Sequence, residues 1–166
     1  MTSAAPGRPL WAPFVVLAAS IVVIDQLTKA WITQELAPDG AISIVGDYLR
    51  LQYTQNSGAL FGLFRGQAAP FAILSLAVIA LIVAYHGRSG RSPYLTLTLG
   101  LLLGGAIGNA IDRLRLNYVV DFVDAGIGGL RFYTFNVADS CISAAILLLL
   151  LMAVRPSLAG SRPVAP

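Results

Sequence analysis

The run VADSCISAAILLLLLMAV, residues 137–154, has one charged residue among eighteen, and that residue, Asp139, stands third. As a helix rising 1.5 Å per residue it is about 27 Å long, close to the thickness of a bilayer's hydrocarbon core. Three further apolar runs of similar length precede it, over residues 10–31, 68–85 and 94–111. The first is interrupted by Asp25 and Lys29. Composition agrees: 57% of the 166 residues are hydrophobic and 11% charged, against about 25% charged in a soluble domain. The expected fold is an all-α membrane protein with four transmembrane helices in one domain, residues 1–155, followed by a disordered cytoplasmic tail, 156–166. Arg8 ahead of the first run raises the possibility of a secretory signal, but no small-residue cleavage site follows it closely, so the run is read as an uncleaved span.

Charge placement gives an orientation. Arg8 in the N-terminal tail, Arg88 and Arg91 between the second and third runs, and Arg155 and Arg162 in the C-terminal tail lie in segments without a single acid. Short basic loops stay in the cytoplasm, so both termini are expected there. The net charge of +3 reflects that bias and carries no basic cluster fit for nucleic acid. The two loops left on the other side, about 33–67 and 114–136, hold the strand signals. Leu49-Arg50-Leu51-Gln52-Tyr53-Thr54 alternates apolar and polar, and Val119-Val120-Asp121-Phe122-Val123 is rich in β-branched residues before a turn at Gly126, Gly128 and Gly129. A small extracytoplasmic β-sheet is expected. The apolar stretch 59–64, outside any full span, is expected to be an interfacial amphipathic segment.

Ionisable groups in a membrane need a partner or a task. Asp25 and Lys29, four apart, form either a neutralising ion pair or a substrate contact. Asn56-Ser57-Gly58 reads as a turn. Gly100, Gly104 and Gly108 read as a close helix-packing face. Asn109 and Asp112 share a helix face, and Arg113 follows. Asp139 opens the fourth run, where it fits a cap or dipole partner. It also fits a catalytic pair with Asp121, because two carboxyls in an apolar setting cannot both ionise cheaply, and one can serve as base while the other stays an acid. Asp124 reads as an ordinary turn acid, and His86 as a solvated loop residue. Cys141, the single cysteine, excludes an internal disulfide and reads as a packing residue. Asp112, Asp121, Asp124 and Asp139 lack a recognised metal-ligand spacing. A small transporter or proton relay would spread its polar groups through the bilayer, whereas these crowd at one end; a pure scaffold would leave Asp121 and Asp139 unexplained.

Five pieces in order, Asp25-Gln26-Leu27-Thr28-Lys29, Asn56-Ser57-Gly58-Ala59-Leu60-Phe61, 104–113, Val120-Asp121-Phe122 and Phe135-Asn136-Val137-Ala138-Asp139-Ser140, resemble the lipoprotein signal peptidases, or signal peptidase II. Leu60 departs slightly, standing where a small residue is usual. The resemblance implies an aspartic endopeptidase of the bacterial inner membrane, working near the outer leaflet. It would cut lipid-modified prolipoproteins before a cysteine bearing a diacylglyceryl group. Asp121 and Asp139 would be catalytic. Asp25, Lys29, Asn56, Gly58, Asn109, Asp112, Arg113 and Asn136 would be supporting or substrate-binding. No metal, cofactor or nucleic acid is expected; membrane lipids are, and the protein is expected to be a monomer.

Overall fold

A computed structural model describes residues 8–58 and 68–156. The segment 59–64 and nearly all of the 156–166 tail lie outside the described residues. Among the described residues, four helices are long and apolar enough to cross a membrane: α1 Trp11–Leu36, α2 Ala68–Ser89, α3 Pro93–Leu116 and α4 Val137–Val154. The central one is α3, with 67% of its spanning window buried against 17–22% in the others. Large apolar side chains such as Val16, Leu27, Leu81 and Leu147 point outward, as a lipid environment allows.

Small residues let α1 and α4 approach α3. A Cβ on Gly104 would lie 2.7 Å from the Ile21 Cβ and 3.0 Å from the Ala18 carbonyl oxygen. The Gly100, Gly104 and Gly108 face thus packs on α1, as the four-residue spacing suggested, while Gly105 meets Ala138 of α4. Away from the sheet an apolar cluster is built on Phe14, Ala18, Ile82, Leu95, Leu99, Leu103 and Met152.

The four strands are β1 Ala41–Val45, β2 Leu49–Asn56, β3 Val119–Ile127 and β4 Leu130–Arg131, in the sheet order β1-β2-β3-β4, all neighbours antiparallel. The expected strands are β2 and β3; β1 and β4 complete the sheet. Asn117, at a φ of 64°, ends α3 in the left-handed conformation that asparagine tolerates, and the chain turns directly into β3. The β2–β3 register pairs Thr54 with Asp121 and Asn56 with Val119. Ile32, Leu36, Val120 and Phe122 form the apolar seat beneath the sheet.

Two expectations need correction. The helices extend past the apolar runs, α1 to Leu36, α2 to Ser89 and α3 to Leu116. His86 is therefore a helical residue rather than a solvated one. It is fully buried, stacked on Phe14 at 3.9 Å and edge-on to Trp11 at 4.8 Å. Asp124 is no turn acid: it lies buried within β3, and Arg50 and Arg131 each reach its Oδ2 at 2.7 Å. Burial alone would push its pKa up, but hydrogen bonds from Arg131 and Arg50 outweigh that and hold it below the ordinary value.

Candidate active site

The polar residues singled out in the sequence converge where the sheet meets the bundle. Asn136 is the N-cap of α4. Its Oδ1 accepts from the Asp139 amide at 2.9 Å, and Asp139 Oδ2 accepts from the Asn136 amide at 3.3 Å. This capping box satisfies two backbone donors that a helix start leaves orphaned. It also fixes the Asn136 amide: with Oδ1 occupied by a donor, Nδ2 must face the other way, onto Asp121 Oδ1 at 2.7 Å. Asp139 is therefore the cap that its position suggested, and at the same time half of a carboxyl pair.

Asn109 is oriented by the same logic. Its Oδ1 accepts from Lys29 Nζ at 3.0 Å and from Asn136 Nδ2 at 3.2 Å, so its Nδ2 points to Asp139 Oδ1 at 2.8 Å. An unbroken chain, Asp121–Asn136–Asn109–Asp139, thus links the two carboxyls through amides. On its other side Asp121 Oδ2 accepts from Asn56 Nδ2 at 2.9 Å, while Asn56 Oδ1 accepts the Gly58 amide at 3.1 Å. The Asn56 turn is real, and it aims a donor at Asp121. Arg113 reaches the Gly58 carbonyl at 3.4 Å and sits 5.8 Å from the Phe71 ring centroid, so it ties the end of β2 to α2 and α3.

Beneath this layer, Lys29 forms ion pairs with Asp25 at 2.8 Å and with Asp112 at 2.9 Å. The spacing of Asp25 and Lys29 anticipated the first pair. Both carboxylates also hold backbone: Asp25 through its other oxygen, Oδ1, which accepts the Ala138 amide at 2.9 Å, and Asp112 through the same Oδ2 that faces Lys29, which accepts the Val120 amide at 3.1 Å. Gln26, which the sequence reading passed over, donates to Asp112 Oδ1 at 2.9 Å and the Gly108 carbonyl at 3.2 Å. Its place beside Asp25 in an apolar run was the available signal.

A cavity of about 300 Å³ opens beside this layer among α2, α3 and α4. Asp139, Asn56, Asn109, Arg113 and Tyr133 supply its polar wall, and Phe71, Leu74, Val78, Leu102 and Ile142 its apolar one. Asp121 lies just behind that wall, 1% exposed, with Asn56 and Asn136 upon it. Burial, then the charge of Asp139, pushes the Asp121 pKa up to about 7, against hydrogen bonds from Asn56 and Asn136 and the charge of Lys29 that pull it down. Burial and the carboxylates of Asp139 and Asp121 raise Tyr133 too, which keeps its hydroxyl protonated. Asp25, Lys29 and Asp112 are not among the cavity's lining residues.

The arrangement offers two carboxyls of unequal exposure, an apolar trough and no grouping of three His, Cys, Asp or Glu among the described residues that could hold a metal. A family model described as "Signal peptidase (SPase) II" matches residues 17–155. A lipoprotein signal peptidase of Syntrophomonas wolfei is 39% identical over 142 residues, 86% of this chain and 90% of that protein. One of Moorella thermoacetica is 38% identical over 146 residues, 87% of this chain and 95% of that protein. Two solved bacterial membrane enzymes share the fold. One has a TM-score of 0.86 at 24% identity, covering 98% of this chain and 100% of its own. The other has a TM-score of 0.81 at 26% identity, covering 90% and 97%.

Proposed function

This chain belongs to the signal peptidase II family, and from that premise we propose how it removes signal peptides from lipoprotein precursors: as an aspartic endopeptidase, with Asp121 and Asp139 activating a water. The observation that carries the aspartic assignment is the amide-linked pair of buried carboxyls at the head of an apolar trough. The scissile bond precedes a cysteine carrying a diacylglyceryl group, whose acyl chains lie against the apolar wall.

The chemistry follows from the environments. With Asp121 held up to about 7, the pair retains, near neutral pH, a proton that a solvated aspartate would have lost. The ionised carboxylate takes a proton from water as the water oxygen attacks the peptide carbon. The protonated carboxyl donates to the carbonyl oxygen, giving a neutral tetrahedral intermediate. Collapse breaks the C–N bond: the protonated carboxyl gives its proton to the leaving nitrogen while a diol hydroxyl returns its own to the ionised carboxylate. Asn109 and Asn136 keep the carboxyls oriented throughout, since their own oxygens are committed elsewhere. The trough lets the substrate's lipid stay in the membrane phase, and each buried methylene contributes about 0.8 kcal/mol to binding. Both termini are cytoplasmic in this reading, because the loop around Arg88 and Arg91 is basic, which sets the carboxyl pair near the outer leaflet.

The test is cleavage in detergent of a precursor peptide with and without the diacylglyceryl group, by wild type and Asp139→Asn. Cleavage of the lipidated peptide alone, abolished in the variant, is expected. Equal cleavage of both peptides would remove the lipid from the mechanism.

A further inference from the structure

We propose that Lys29 is a positioning residue whose ammonium sets the separation of Asp121 and Asp139, through two matched carboxylate-to-backbone links. The proposal rests on those two aspartates being the reacting pair. The three ammonium hydrogens go to Asp25, Asp112 and Asn109, at 2.8, 2.9 and 3.0 Å, so Lys29 has no donor left for substrate. Each of its acid partners holds the amide of the residue just before a reacting aspartate. Asp25 holds Ala138, before Asp139, and Asp112 holds Val120, before Asp121. Asn109, the third partner, bonds Asp139 itself.

Neutralising one buried acid would need one base and no particular backbone partner. Here one cation sits between two carboxylates, leaving the trio net negative, and each carboxylate is committed to an opposite side of the site. Asp139 rides on α4, Asp121 on β3, and Lys29 on α1 is the group to which both sides are tied. Gly108 makes this possible, because a Cβ there would lie 2.6 Å from Asp25 Oδ2. Asn136 is a second tie between Asp121 and the start of α4, so losing Lys29 loosens the pair without dispersing it. A misplacement of ~1 Å at reacting groups costs on the order of 100-fold in rate.

Charge gives an independent readout. Asp139 of α4, Lys29 of α1 and Arg113 of α3 act electrostatically on Asp121, with Asn56 of β2 and Asn136 bonded to it and the neutral Tyr133 hydroxyl nearby. Removing Lys29 takes away its charge and leaves the bonds of Asn56 and Asn136 to Asp121 in place. Without that cation the rise of kcat with pH moves upward.

The experiment measures kcat, KM and the pH profile on the lipidated precursor peptide in detergent, with melting temperature as a fold check. The variants are Lys29→Met and Lys29→Met/Asp112→Asn, beside Asp121→Asn and Asp139→Asn. The double variant restores the trio's net charge, so it carries the test if the single variant does not fold. Expected are a kcat lower by ~100-fold and a KM within roughly threefold of wild type in both variants, with a midpoint at higher pH in the single variant that is largely offset in the double. A folded Lys29 variant with near-normal kcat, or with only KM raised, refutes the keystone while inactive Asp121→Asn and Asp139→Asn leave the pair standing. Full activity of either aspartate variant overturns the pair, and the keystone with it.

Discussion

Replacing Asn136 by alanine removes four bonds at once, and the structure says what each is worth. The cap bond from the Asp139 amide contributes about 1 kcal/mol by the usual cost of deleting an N-cap side chain. The 2.7 Å donor to Asp121 adds about 2 kcal/mol when the carboxylate is charged. The 3.2 Å bond to Asn109 and the 3.3 Å bond to the Val120 carbonyl are peripheral. Together these give about 3 kcal/mol at alkaline pH, or a melting temperature lower by about 6–12 °C for a chain of this length. Below the Asp121 pKa the loss shrinks, since a neutral carboxyl accepts more weakly. Asn136 also pulls the Asp121 pKa down, so its removal raises that pKa and moves the rise of kcat/KM to higher pH. Melting curves and pH–rate profiles in detergent measure both. Asn136→Ser is the control: serine still caps but cannot reach Asp121 as the amide does, so stability returns by about 1 kcal/mol while the pH profile stays displaced. A melting temperature within about 2 °C of wild type, or an unmoved pH profile, would refute this account of the site.

Other outcomes follow from the same structure. Asp121 has a folded pKa raised from 3.8 to about 7, so it is neutral in both states at low pH and is penalised by burial once ionised; stability should therefore fall as pH rises from about 4 to about 7, by up to about 4 kcal/mol, and Asp121→Asn should flatten that slope in pH-dependent melting. Asp124 is held below its ordinary pKa by arginines, so its contribution is present above the carboxylate range and lost as pH falls; Arg131→Ala should cost about 1–2 kcal/mol at pH 7 and less at pH 3 by the same melting measurement. Gly104→Ala should lower stability by about 1–3 kcal/mol through overpacking against the Ile21 Cβ and the Ala18 carbonyl, read from melting curves in detergent.

The spans were legible because eighteen-residue apolar runs have few other uses, and the crowding of acids and amides at one end marked the site. What stayed hidden was long-range. Asp124 looks local beside Gly126, and the clamp that Arg131 begins is completed by a partner 74 residues away, Arg50. β1, five exposed residues, has no burial pattern of its own and is recognisable only through its pairing with β2. His86 looked solvated because the apolar run stops at 85, yet the helix does not stop there, and the next residue turns back onto Phe14. Asp25 and Lys29 were legible as a pair from their spacing, but Asp112 as the second acid required knowing that α1 and α3 cross at Gly108. Asp139 could be read as cap or as catalyst, and the structure shows that capping leaves its other oxygen for Asn109.

The most direct test of the central claim is single-turnover cleavage of the lipidated precursor by Asp121→Asn, Asp139→Asn and the double variant, each shown folded by its melting curve. Two carboxyls acting as one unit give single losses of at least ~10⁴-fold, and a double variant no slower than the worse single one. A single variant within tenfold of wild type, or losses that multiply in the double, would contradict an aspartic pair made of Asp121 and Asp139.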